Sequence, residues 1–216
     1  MNISDEILAL CELSNDLLFH KIPRHKYSYY IKSSLNAGKQ AAKAYLGEDI
    51  RELYKKNGLV IEYCETTNSY CGVKFRAQVT MGKEETIVTL YTKSLNEFAQ
   101  YSSFEGNASI AYETALDVHL CHEFYHFLEH KANTSVSETL DSVETIKLPF
   151  FTRRAHINRC SEIAAHAFAQ EMLGLDHLPN IYDYIYLVNT SQISKENFDK
   201  MIVEFGEKLF DINLSN

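Results

Sequence analysis

The chain has 216 residues, 45% apolar and 23% charged, the composition of a folded globular protein with room for a substantial core. A formal charge of -8 at pH 7 repels nucleic acid and anionic membranes alike, so neither is expected as the main partner. No apolar run approaches the roughly 20 residues that span a bilayer, and Met1-Asn-Ile-Ser-Asp-Glu-Ile carries acids where a secretory signal carries bases.

In chain order, residues 5–20 and 37–56 have helical spacing, the second stretch running into Asn57-Gly58, a helix-stop signal. Three strand-like segments follow at 59–65, 72–80 and 86–92, rich in Val, Ile, Thr, Tyr and Phe. Turn signals at Asn68-Ser69 and Met81-Gly82-Lys83 separate them, and the short spacing predicts an antiparallel meander. A helix is expected from 108 to about 131, then a polar stretch over 132–149 that ends at Pro149. Another helix is expected over 152–173, stopped by Gly174, and two more at about 181–189 and 194–211. Helices, strands, then helices read as an α+β fold.

The five cysteines are an odd number, unlike a disulfide-stapled secreted scaffold, and a cytoplasmic location is expected. Cys64 and Cys71 flank a turn-like segment and are near enough in sequence to meet, but buried free thiols are the preferred reading.

Between His119 and His130 stand four of the nine histidines. His122-Glu123-Phe124-Tyr125-His126 fits the pattern H-E-x-x-H. Residues i and i+4 of a helix lie about 40° apart around its axis and roughly 6 Å apart along it, so two imidazoles converge on one ion. Glu123 is turned about 100° from His122, where it borders an open coordination position and can take a proton from a water molecule there. The apolar neighbours Leu120, Cys121, Phe124, Phe127 and Leu128 fit a helix buried at the floor of a cleft. His130 lies two turns beyond His122, too far to share its ion, and His119 and His130 are expected to support or flank the cleft.

A third ligand is expected from Arg159-Cys-Ser-Glu162-Ile-Ala-Ala-His166, where Glu162 is a lone acid among small apolar residues. A carboxylate there is costly unless a cation compensates it, and the alanines permit close approach of the histidine-bearing helix. The alternative is a solvated Glu162 on a surface face.

His122-Glu-Phe-Tyr-His126 followed by Glu162-x-x-Ala165-x-x-Phe168-Ala169-x-x-Met172-Leu173 resembles the ImmA/IrrE family of zinc metallopeptidases. The resemblance covers roughly residues 37–175 of a single domain, with 1–36 and 176–216 as helical extensions. It implies a zincin-like fold, a small antiparallel sheet packed with the H-E-x-x-H helix. It implies one zinc ion held by His122, His126 and Glu162, with Glu123 as catalytic base and a protein or peptide substrate, in this family often a repressor. The chain departs from the family pattern at Tyr125, where Gly is common, at His166, where Asn is common, and at Gly174 in place of Pro. Tyr125 is expected to narrow the cleft. His166, one turn after Glu162, is a candidate for steadying an oxyanion or a ligand, against an ordinary packed histidine.

Two other readings stand beside this one. A non-catalytic zinc-containing binding or regulatory module would close the fourth position with a thiolate, from Cys121 or Cys160, although helical geometry turns both away from the ligands. A di-metal carboxylate bundle needs a second Glu-x-x-His motif, which the sequence lacks. The sequence leaves substrate identity and oligomeric state open.

Overall fold

In the computed structural model, residues 3–67, 69–70, 73–82, 85–103 and 110–214 are described. The fold is α+β and predominantly helical. Helix α1 (Asp5–Ser14) is capped by the Ser4 hydroxyl, which accepts from the Ile7 amide, and has Asp5 and Glu6 in its first turn. It stops six residues short of the expected end because Asp16 diverts the chain, accepting from the Leu18 and Arg159 amides at 2.8 and 3.0 Å. Two short 3-10 turns, Phe19–Lys21 and Arg24–Lys26, lead into α2 (Tyr27–Ala42).

The single helix expected over 37–56 is two. The chain breaks after Ala42, with Gly47 at φ +83°, and resumes as α3 (Ile50–Lys56) once Asp49 caps it through the Arg51 and Glu52 amides. Helix-favouring residues across the break hid it, since propensity is a weak guide to where a helix is cut.

The expected meander is also corrected. Strands β1 (Leu59–Cys64), β4 (Ala77–Met81) and β5 (Thr86–Tyr91) form a mixed sheet in the order β1-β5-β4. β5 runs parallel to β1, with Leu59 beside Thr86, and antiparallel to β4, with Met81 beside Thr86. The buried Val88 and Leu90 favour the central place for β5, whereas β1 carries exposed Glu62 and Tyr63 at its edge. Between β1 and β4, β2 (Ser69–Tyr70) and β3 (Val73–Lys74) make a two-residue antiparallel ladder. Asn68, Cys71, Gly72 and Lys83, on which parts of the turn and thiol-pairing expectations fell, lie outside the described residues. Cys11, Cys64, Cys121 and Cys160 are free thiols.

Helix α4 (Thr92–Tyr101) was not foreseen, although its buried Ser94, Leu95, Phe98 and Ala99 have helical spacing. α5 (Tyr112–Ala132) carries the H-E-x-x-H residues and ends at Asn133, which takes the left-handed conformation at φ +53°. The polar stretch expected next instead holds the short helix α6 (Val136–Thr139), with a capping box from Ser135 and Glu138, and a hairpin of β6 (Val143–Leu148) and β7 (Phe151–Ala155). The helix expected to start at 152 therefore begins as α7 (Arg159–Leu173), and it stops at Gly174 as expected, at φ +61°. α8 (Asn180–Asn189) and α9 (Lys195–Leu214) follow.

α7 separates two buried clusters. Cys160, Ile163 and Ala167 pack with Leu8, Leu10 and Leu13 of α1, Ile181 and Ile185 of α8, and Phe198 and Ile202 of α9. Ala164, Ala165, Phe168 and Ala169 pack with α5, α3 and the sheet through Leu120, Phe124, Leu53 and Val88. Among the described residues, no helix is long and apolar enough to cross a membrane.

Candidate metal centre

Apolar packing sets which face of α5 is free for chemistry. Leu120, Cys121, Phe124 and Tyr125 are buried, with Phe124 against the rings of Tyr45, Tyr54 and Phe168, and the Tyr54 hydroxyl donates to the Leu120 carbonyl at 2.9 Å. That leaves His122 and His126 on the side facing Glu162 of α7, all three only partly buried. Tyr125, expected to narrow the cleft, instead points into the core, its ring 5.6 Å from that of Phe168.

The two Nε2 atoms of His122 and His126 lie 3.1 Å apart. Glu162 Oε2 is 3.2 Å from His122 Nε2, and Oε1 is 3.6 Å from His126 Nε2. A tetrahedral ion 2.0–2.1 Å from two donors holds them about 3.3 Å apart, so these atoms already stand near ligand spacing. Among the described residues, His122, His126 and Glu162 are the group able to hold a metal. Burial opposes charge on His126, yet the Glu129 and Glu162 carboxylates, which accept from its ring, push it up to about 10. Burial likewise opposes charge on Glu162, but His122 and His126 hold it well below the usual carboxylate range.

Glu123 lies off this triad and borders a cavity of about 180 Å³ with His122, His119, Arg76, Phe98 and Asp183. Glu162 also borders a larger cavity of about 920 Å³, with Ser137, Glu138, His156 and Arg159. The candidate base thus faces the small cavity, and one ligand faces the large one.

The remaining histidines separate clearly. His119 sits on the small cavity's wall, its Nδ1–H donating to the Ala115 carbonyl at 2.7 Å and its ring edge-on to Phe98. Burial, and then the nearby Arg76, lower it to about 4, so it is neutral at pH 7. His130 is exposed near the end of α5. His166 packs its ring 4.8 Å from that of His122, and its buried Nδ1 has no hydrogen-bond partner. Burial lowers it to about 3, so it is a neutral ring packed against His122.

No family model, curated protein or solved structure matches this chain.

Cys121 and Cys160, weighed for a fourth position, are fully buried outside the triad, and burial pushes both thiols up, Cys160 to about 12. Two neighbours of the candidate site were not foreseen from the sequence. Arg76 lies over the Phe98 ring at 4.0 Å and pairs with Asp183, beside Glu123; its partner is 107 positions away, so no local pattern exposes it. Glu129 meets His126 Nδ1 at 3.3 Å, and its signal, a carboxylate three residues past a ligand, is a weak one.

Proposed function

We propose that the chain is a zinc-dependent peptidase, with His122, His126 and Glu162 as metal ligands and Glu123 as general base. The observation that carries this reading is the convergence of two imidazole nitrogens and a carboxylate near ligand spacing, with a second carboxylate beside them in a cavity. Three protein ligands of the His₂Glu kind leave one coordination position open, as in catalytic sites, whereas structural zinc sites are closed by a fourth protein ligand. The ordered resemblance to the ImmA/IrrE motifs adds to this reading.

When bound, the ion supplies a Lewis acid and lowers the pKa of a water molecule at its open position to about 7. Glu123 would take the proton of a water whose oxygen adds to the peptide carbonyl carbon, and would pass that proton to the amine nitrogen as the C–N bond breaks. His119, neutral at pH 7, adds no charge to compete with the carboxylate. Arg76, held by Asp183 and the Phe98 face, lines the same cavity together with Lys74, and a cation there would polarise a substrate carbonyl.

The test is metal content of the purified chain by mass spectrometry, followed by cleavage of denatured casein by wild type and Glu123→Gln. One zinc per chain with cleavage lost in Glu123→Gln and zinc kept supports the peptidase. Zinc without any cleavage would leave a metal-dependent binding module, and no zinc after incubation with the ion would end both readings.

A further inference from the structure

The Glu129 carboxylate occupies both its oxygens at the junction of three helices. Oε2 meets His126 Nδ1 at 3.3 Å, while Oε1 accepts from the Val136 amide at 2.7 Å and from the Ser161 hydroxyl at 2.9 Å. Val136 opens α6, and Ser161 immediately precedes Glu162 on α7. The Ser161 hydroxyl also lies 3.0 Å from that of Ser137, which donates to the Asn158 carbonyl at 3.0 Å. With its side chain only 12% exposed, Glu129 is held by fixed partners, not by solvent.

We infer that Glu129 is a positioning residue, fixing the tautomer of His126 and tying its helix to the one that carries Glu162. The inference rests on the metal-centre reading above. A carboxylate has no proton to give, so the hydrogen bond requires the proton on Nδ1 of the neutral ring. The lone pair is then on Nε2, the atom that faces His122 Nε2 and Glu162. Through Ser161, the same carboxylate fixes the first turn of α7, so both ligand-bearing helices are registered on one anion. Glu129→Gln is close to isosteric but offers an amide N–H to His126. That pairing favours the opposite tautomer, with the proton on Nε2 and the metal position blocked.

The experiment measures zinc affinity by competition with a chromogenic chelator, and the visible absorption of the cobalt-substituted protein, for four chains: wild type, Glu129→Gln, Ser161→Ala and Ser135→Ala. Zinc affinity falls about 10–100-fold in Glu129→Gln with an altered cobalt spectrum, and by less in Ser161→Ala. Ser135→Ala loosens the α6 cap without touching Glu129, so it lowers thermal stability and leaves zinc affinity unchanged. Glu129→Gln binding zinc as wild type does, with an unchanged cobalt spectrum, would overturn the inference while leaving the metal centre standing. If Glu129→Gln does not fold, an unchanged affinity in Ser161→Ala overturns it. A wild-type chain that binds neither ion would overturn the metal centre and this role together.

Discussion

Gly38 of α2 and Ala164 of α7 approach so closely that a β-carbon on Gly38 would lie 2.0 Å from the Ala164 carbonyl oxygen. The obstacle is backbone and cannot swing aside. Alanine is a better helix former than glycine by about 1 kcal/mol, but overpacking of a core costs about 1–3 kcal/mol, and the clash here belongs at the upper end. Gly38→Ala should therefore destabilise the chain by about 2 kcal/mol, measured by urea unfolding. Because Ala164 is two residues from Glu162, the same change should also weaken zinc binding, which a glycine-to-alanine change at exposed Gly47 should not.

Zinc should stabilise the wild-type fold by mass action, by about 2.7 kcal/mol at a hundredfold excess over Kd. For a chain of this size that is a rise of roughly 5–10 °C in Tm. Glu162→Ala should abolish the rise, and a chelator should reverse it in wild type. A zinc-dependent rise that survives Glu162→Ala would place the ion elsewhere.

Breaking the Arg76–Asp183 pair should cost stability and reshape the small cavity together. Arg76 is mostly enclosed, against the Phe98 and Tyr186 rings, so Asp183→Ala leaves an uncompensated guanidinium there. Asp183 itself is partly open to solvent, which limits the loss to about 1–2 kcal/mol. A double-mutant cycle with Arg76→Ala, read by urea unfolding, should return a coupling energy in the same range.

Acid should destabilise the fold partly through His119. Its folded value of about 4 lies below the ordinary 6.5, so the unfolded chain takes up the proton first. Stability is lost as pH falls from about 6.5 toward 4 and is complete above that window. Burial dominates the shift; Arg76 and His122 also disfavour the proton, while the Ala115 carbonyl and Asp183 favour it. His119→Phe keeps a ring against Phe98 and should flatten the acid limb, measured as unfolding free energy against pH.

What could be read from the sequence was local. His122, Glu123 and His126 share one helix, so their mutual geometry follows from helical pitch alone, and Gly174 ends α7 by its own backbone freedom. Glu162 was legible because a lone carboxylate among alanines is chemically conspicuous. The parallel pairing of β1 with β5 was not, because strand partners are chosen by the whole sheet and not by the turns between them. The β6–β7 hairpin was hidden for another reason: Ile146, Leu148, Phe150 and Phe151 are exposed, so its apolar residues mark no buried face. Glu129 drew no reading from the sequence, since an acid three residues past His126 is a weak signal until its burial between three helices is seen.

The placement of Glu162 on the helix shared by both buried clusters sets this carboxylate on the most cooperative part of the fold. Freeing α7 means unpacking α1, α8 and α9 on one side and α5 and the sheet on the other. The amides of Ala164 to Phe168 should therefore exchange among the slowest of the chain, a pattern hydrogen–deuterium exchange would read. An ion bound at His122, His126 and Glu162 would therefore leave by breaking its own bonds, one ligand at a time, while the scaffold beneath it stays closed.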